Sequence, residues 1–154
     1  MYTSLWERLK NQHQAIRFII EKPDNTRLTK QLMQGKWTIK DNIAHLAKYQ
    51  PVFLNRVKLI LANDNLVFER YKAENDPEFE TWRQYDLSTL LDKLDEDRIN
   101  IFNTITDLTP AELSKTGVHK KYGALTIMEW TEFFLLHEAH HIFTIFQLTH
   151  DTEL

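Results

Sequence analysis

The chain contains no cysteine, which excludes disulfides, thiolate metal ligands and a protein-borne thiol nucleophile. Any thiol chemistry would have to bring its sulfur on a cosubstrate. Glycine and proline number only 3 and 4 in 154 residues, too few for the tight turns of a multi-strand β fold. The longest apolar run, Ile127 to Leu148, is interrupted by Glu132, Glu138 and histidines, so no membrane span is expected. Positive charge is not in excess: the net charge of -3 gives no general attraction to nucleic acid or anionic lipid. Met1 to Glu7 lacks a basic stretch leading into an apolar block, so no signal peptide is expected. A cytoplasmic location is compatible with these absences. What is there, 42% hydrophobic and 27% charged residues, suits one globular domain over residues 1–154 with room for a real core.

Apolar spacing predicts four long helices. Leu5, Leu9, Ile16, Ile19 and Ile20 mark the first, from about Thr3 to Glu21, closed by Lys22-Pro23-Asp24-Asn25. After a turn-rich stretch containing Gly35, Thr38 and Asp41 form a variant capping box. From there Ile39, Ile43, Leu46, Phe53, Val57 and Ile60 form the seam of a second helix, ending near Asn63-Asp64-Asn65. Pro51 inside it removes a backbone donor and should bend the axis. Residues 65–85 read as a long crossing connection with one short helical turn, which lets consecutive helices lie parallel. Ser88 is placed to cap a third helix carrying Leu90, Leu91, Leu94, Ile101, Ile105 and Leu108. Thr109-Pro110-Ala111-Glu112 predicts a short separate turn, and residues 115–124 a basic loop with no strand. Thr126 and Glu129 cap a last helix reaching about Thr149. The expected fold is an all-α four-helix bundle with a long connection between helices 2 and 3.

The last helix carries His137-Glu138-Ala139-His140-His141. His137 and His141 are four residues apart, so their rings share one helical face, on the seam of Trp130, Phe134, Thr144 and Leu148. Two readings fit the pair: a shared divalent cation with a third ligand from elsewhere, or two core histidines bonded to carbonyls or carboxylates. His45, about two turns past the Thr38 cap, lies at a depth comparable to His137, three turns past Thr126. It strengthens the metal reading, because three histidines with an open position form a catalytic metal arrangement. H-E-x-x-H is also the zincin signature, but only thirteen residues follow His141 and no substrate-holding strand is expected. A di-iron site fails on ligand count, with Asn42 three before His45. Glu138 is a weak candidate for a catalytic role. Glu129, Glu132, Glu138 and Asp41 are candidates for orienting the imidazoles. His140 is expected to pack with Phe133, Leu136 and Phe143. His13, His119 and His150 read as surface or packing residues, and Trp37, Tyr49 and Trp130 as core or pocket wall. Lys115, Lys120 and Lys121 read as a solvated basic loop, with anion binding near the site as the alternative.

Two blocks carry a family resemblance. Gly35-Lys36-Trp37-Thr38-Ile39-Lys40-Asp41-Asn42-Ile43-Ala44-His45-Leu46 is one, and Gly123-Ala124-Leu125-Thr126-Ile127-Met128-Glu129-Trp130 followed by His137 and His141 is the other. In order and spacing they resemble the DinB-like (DinB/YfiT) superfamily of small metal-binding four-helix bundles. The resemblance implies a right-handed bundle and a metal held by His45, His137 and His141, with water or substrate in the remaining positions. It also implies thiol S-transferase or hydrolase chemistry, the thiol being a low-molecular-weight one such as bacillithiol or mycothiol. A homodimer is compatible with it, through the apolar margin of helices one or four. The metal is expected to be zinc or nickel, although three imidazoles also suit iron and copper. A metal-dependent enzyme acting on a small molecule is the expected function, and a non-catalytic metal-binding or regulatory bundle is the alternative.

Overall fold

The computed structural model describes residues 1–21, 23–32, 34–63 and 66–150. The first helix is not continuous. α1 (Thr3–Asn11) passes through a 3₁₀ turn, Gln12–Gln14, into α2 (Ala15–Ile19). α3 (Asn25–Thr29) follows, capped by Asp24, whose side chain accepts from the backbone of Arg27. The sequence predicts only turns there; Lys22, part of the expected stop signal, lies outside the described residues. α4 (Ile39–Ala62) opens on the expected Thr38–Asp41 capping box and runs through Pro51. Of its expected end signal, Asp64 and Asn65 lie outside the described residues.

The long connection holds more than one turn: β1 (Val67–Phe68), a 3₁₀ turn at Ala73–Asn75 and α5 (Phe79–Gln84). α6 (Leu87–Thr106) is capped by Asp86, not Ser88, the carboxylate accepting from the backbone of Thr89 at 2.7 Å. Both residue types cap well, and the chain uses the earlier one. α7 (Pro110–Leu113) has the expected capping box. The basic loop is a hairpin instead, β2 (Thr116–His119) and β3 (Gly123–Thr126), leading into α8 (Ile127–His150). No helix of the described residues is long and apolar enough to cross a membrane.

The expectation of no strand is therefore corrected by a three-stranded sheet in the order β1-β2-β3. β1 pairs parallel to β2, Val67 with Val118 and Phe68 with His119, and β2 pairs antiparallel to β3. Strands of two and four residues are too short to show a period of two, so composition hid them. Gly123, at φ +80°, makes the turn. Gly117 lets the sheet lie against α4: a Cβ there would stand 2.8 Å from side-chain atoms of Ile60 and Phe68.

The core falls into two apolar halves. One joins Ile16, Ile43, Leu90, Leu94, Ile145 and Leu148; the other joins Leu5, Leu9, Phe53, Ile101, Trp130 and Phe134. Near the junction of the halves every long element carries polar residues that are buried or half-buried: Gln12 and His13, His45 and Gln50, Arg98, and His137, Glu138 and His141. A polar belt thus crosses the bundle at mid-height. Arg98 and Glu138 are its centre, 1% and 0% exposed. Arg98 pairs with the Glu138 carboxylate and donates to the Gln50 amide oxygen at 3.1 Å and the Leu9 carbonyl at 3.3 Å. The amide of Gln12 donates to the Glu138 carboxylate at 3.0 Å and the Leu135 carbonyl at 2.9 Å. The first helix tightens where it supplies these groups, which is why one apolar seam becomes two helices.

Candidate metal centre

The first block builds its half of the centre step by step. Gly35, at φ +70°, turns the chain, and Trp37 packs on two imidazoles, its ring centroid 5.0 Å from that of His45 and 6.0 Å from that of His141. Thr38 starts α4 by accepting from Asp41, whose carboxylate returns the bond at 3.0 Å. One turn in, Asn42 faces His141; one turn further, His45 faces His137. The second block works likewise. Thr126 and Glu129 exchange backbone bonds at 2.7 and 3.1 Å, Trp130 locks onto the Gly117 carbonyl at 3.2 Å, and two to three turns later come His137 and His141.

The structure brings the three histidines together. Each offers one ligand atom, and these lie within 4.8 Å of one another. The Nε2 atoms of His45 and His137 are 3.0 Å apart. The Asn42 side-chain amide donates to the Thr38 carbonyl at 2.8 Å, which aims its oxygen at His141 Nδ1, 2.9 Å away. That arrangement puts the His141 proton on Nδ1 and leaves the Nε2 lone pair free. Asn42, set aside on ligand count, is the orienting residue.

The donor set fits a divalent ion. Burial first, and the neighbouring histidines after it, push His45 down to about 2 and His137 to about 3, while His141 stands at about 4. All three imidazoles are neutral, the form that carries a lone pair. The buried Nδ1 atoms of His45 and His137 have no hydrogen-bond partner, so the cluster is not the self-satisfied pair of core histidines that the alternative reading required.

The carboxylates lie elsewhere. Asp41 pairs with Arg83 at 2.8 Å, Glu132 with Arg8 at 2.7 Å, and Glu129 caps α8. Glu138, the weak catalytic candidate, has its carboxylate bound to Arg98 and Gln12, because one residue past His137 on a helix is about 100° round the axis. His140 is exposed instead of packed, beside exposed Leu136 and Phe143. His150 stays at the surface, stacked on Phe146, and His13 joins the belt.

His119, expected at the surface or in packing, packs among Tyr122, Trp130 and Phe133 and also reaches a cavity. It is buried at the end of β2, its Nδ1 accepting from the backbone of Lys121 and Tyr122 at 3.0 and 3.2 Å, which leaves the proton on Nε2. With His45, His137, Tyr49, Tyr71 and Arg56 it lines a cavity of about 530 Å³. His141 is not among the lining residues. The only available signal was its place just ahead of a Gly123 turn.

Asn42→Ala should fold and should bind zinc about 10–100-fold more weakly, the usual cost of losing a partner that orients a ligand. Competition titration against a chromophoric chelator measures this; unchanged affinity would remove Asn42 from the site. A second expectation concerns acid. His13, His45, His137 and His141 have folded values below 6.5, mainly from burial. As pH falls below about 6.5 the unfolded chain takes up protons first, so stability drops until the folded values are reached near 4 and below. Carboxylates with lowered values, such as Asp41 and Glu132, act only further down. The urea midpoint of metal-free protein should therefore fall between about pH 7 and about pH 5. A constant midpoint over that interval would mean the imidazoles are not buried as neutral groups.

A family model described as the DinB superfamily matches residues 8–145. Among solved structures, one titled "YfiT from Bacillus subtilis is a probable metal-dependent hydrolase with an unusual four-helix bundle topology" superposes with a TM-score of 0.81. It is 20% identical over 95% of this chain and 84% of that one, a likeness of fold. No curated protein matches the chain in sequence.

Proposed function

The chain belongs to the DinB superfamily, and on that footing we propose that it is a metal-dependent enzyme in which His45, His137 and His141 hold one divalent ion, zinc or nickel first. The observation that carries this reading is three neutral imidazoles converging beside a cavity, two of them in its wall. A bound ion supplies Lewis acidity, lowering the pKa of a thiol or water that then attacks a small-molecule electrophile. The protein's own groups do the rest. Asn42 holds the His141 lone pair in place, and Trp37 and Phe79 cover the His45 ring. Tyr49 accepts from Arg56 at 3.0 Å and, its value raised by burial, keeps a proton to donate to charge developing in the cavity.

The likeness to YfiT, described as a probable metal-dependent hydrolase, supports water as the nucleophile. The second reading, S-transfer from a low-molecular-weight thiol, is favoured by the carboxylates. Among the described residues none is bonded to the three imidazoles, and Glu138 is committed to Arg98. Water on such an ion would still have a pKa of about 7 and gain from a nearby base, whereas a thiol would be deprotonated there without one. Zinc-loaded protein should be assayed with a chlorodinitrobenzene plus several thiols, and with nitrophenyl esters without them. Saturable turnover that chelator removes supports the enzyme, and the productive assay names the nucleophile. A full metal complement without turnover in either assay supports the non-catalytic binding module instead.

A further inference from the structure

Arg56 is a buried cation without an anion. It is 8% exposed, yet among the described residues no carboxylate pairs with it. Its Nη1 donates to the Tyr49 hydroxyl at 3.0 Å and its Nη2 to the Glu69 carbonyl at 2.8 Å, both neutral acceptors. Its faces are covered by Trp130, Phe68 and Tyr49, with ring centroids 5.5, 5.7 and 5.9 Å from the guanidinium carbon. A guanidinium has five N–H groups, and two are used. Arg98, the other buried arginine at 1% exposed, has Glu138.

Taking a charge out of water is costly unless it is paired, so a buried, unpaired arginine in a cavity wall points to a ligand that completes it. The rest of the wall agrees. Five cations, Arg56, Arg70, Lys72, Lys120 and Lys121, line the cavity against two carboxylates, Glu69 and Glu74, and Lys120, at 2.7 Å, neutralises Glu69. The Nε2 proton of the His119 ring adds a neutral donor. His137 is in the same wall, and the positive charges of Arg56 and Arg70 both act on it. Tyr49 links the two sites directly, its hydroxyl on Arg56 and its ring 4.5 Å from the His137 ring.

We propose that Arg56 and His119 form an oxyanion-binding subsite beside the three-histidine cluster, and that the small molecule taken up there carries a carboxylate or phosphate group. The proposal names the substrate class of the site described above and rests on that reading for the word substrate, but the binding itself does not need metal. The aromatic walls, Tyr49, Tyr71 and Phe133, suit a ligand with a flat apolar body behind its charged group.

The test uses chelator-treated and zinc-loaded protein in parallel, with benzoate, phenyl phosphate and benzyl alcohol as probes. Calorimetry should show both anions binding the metal-free protein at least about tenfold more tightly than the alcohol, as charged hydrogen bonds require. The Arg56 Nε–H resonance should shift on saturation. Arg56→Lys keeps the charge but loses the fork, and should weaken both anions about tenfold. Comparison of the two anions identifies which group the subsite prefers. Because Arg56 is also packed in the core, the resonance shift in the unaltered protein stands independently of any variant. Equal affinity for benzoate, phenyl phosphate and benzyl alcohol, or an Arg56 signal that does not move, would overturn the proposal. So would anion binding seen only with zinc present, since that would place the anion on the metal. Anion binding by metal-free protein that takes up no zinc would leave the subsite standing and sink the metal enzyme.

Discussion

His137→Leu protein, purified without a histidine tag, should keep its helical content and lose more than about a hundredfold in zinc affinity, beyond the cost of removing a partner that only orients a ligand. Its stability should depend on metal. In the metal-free wild type the buried Nδ1 of His137 has no partner, while its Nε2 meets that of His45 at 3.0 Å. A leucine of similar size removes the unsatisfied Nδ1 but leaves the His45 Nε2 without its partner, two changes of opposite sign worth about 1–3 kcal/mol each. Metal-free His137→Leu should thus unfold within about 1 kcal/mol of metal-free wild type. Saturating zinc should separate the two, because an ion that binds only the folded wild type stabilises it by mass action. Urea titrations of both proteins with zinc and with chelator give the four midpoints needed. Equal midpoints for the two proteins in saturating zinc would mean that His137 holds no ion.

The second large effect lies in the belt. Glu138→Ala leaves Arg98 buried without its carboxylate, and removing one partner of a buried pair costs about 3–5 kcal/mol. That is a large part of the stability of an ordinary domain, so the variant should be found partly unfolded or in low yield. Replacing both partners, Arg98→Met with Glu138→Leu, should recover most of the loss, because a buried ion pair is often matched by apolar groups of its own volume. The double-mutant cycle on urea midpoints therefore carries a coupling of several kcal/mol. A further variant, Glu138→Gln, separates this role from catalysis. A general base at position 138, as the zincin pattern would have it, predicts that Glu138→Gln folds normally and loses turnover outright. A structural partner of Arg98 predicts a loss of stability together with a metal affinity that stays within a few-fold in the protein that folds.

The elements legible in the sequence were those with local signals. The capping boxes at Thr38, Thr109 and Thr126 and the seams of α4, α6 and α8 depend on residues three and four apart, and they appear where expected. The features missed are set by distant parts of the chain. The break at Gln12 answers to Arg98 and Glu138, more than eighty residues away, and the three-stranded sheet is fixed by pairing across fifty residues and by the narrow gap at Gly117. The site divides in the same way. Two of the three histidines share a helix face and could be read directly; His45 could be placed only by counting turns from two caps. Glu138 misled because the H-E-x-x-H string says nothing about which face its glutamate takes. Asn42 and His119 had no signal of their own, since an orienting amide and a hairpin-end imidazole acquire their roles only when other segments arrive.

Zinc K-edge X-ray absorption on protein reconstituted with one equivalent of zinc tests the centre most directly. The expected spectrum contains three imidazole scatterers with nitrogens at about 2.0–2.1 Å and a light-atom remainder from water or buffer, losing one imidazole in His45→Ala. Zinc that shows fewer than three imidazoles, or a spectrum unchanged by the loss of His45, would contradict a centre shared between α4 and α8.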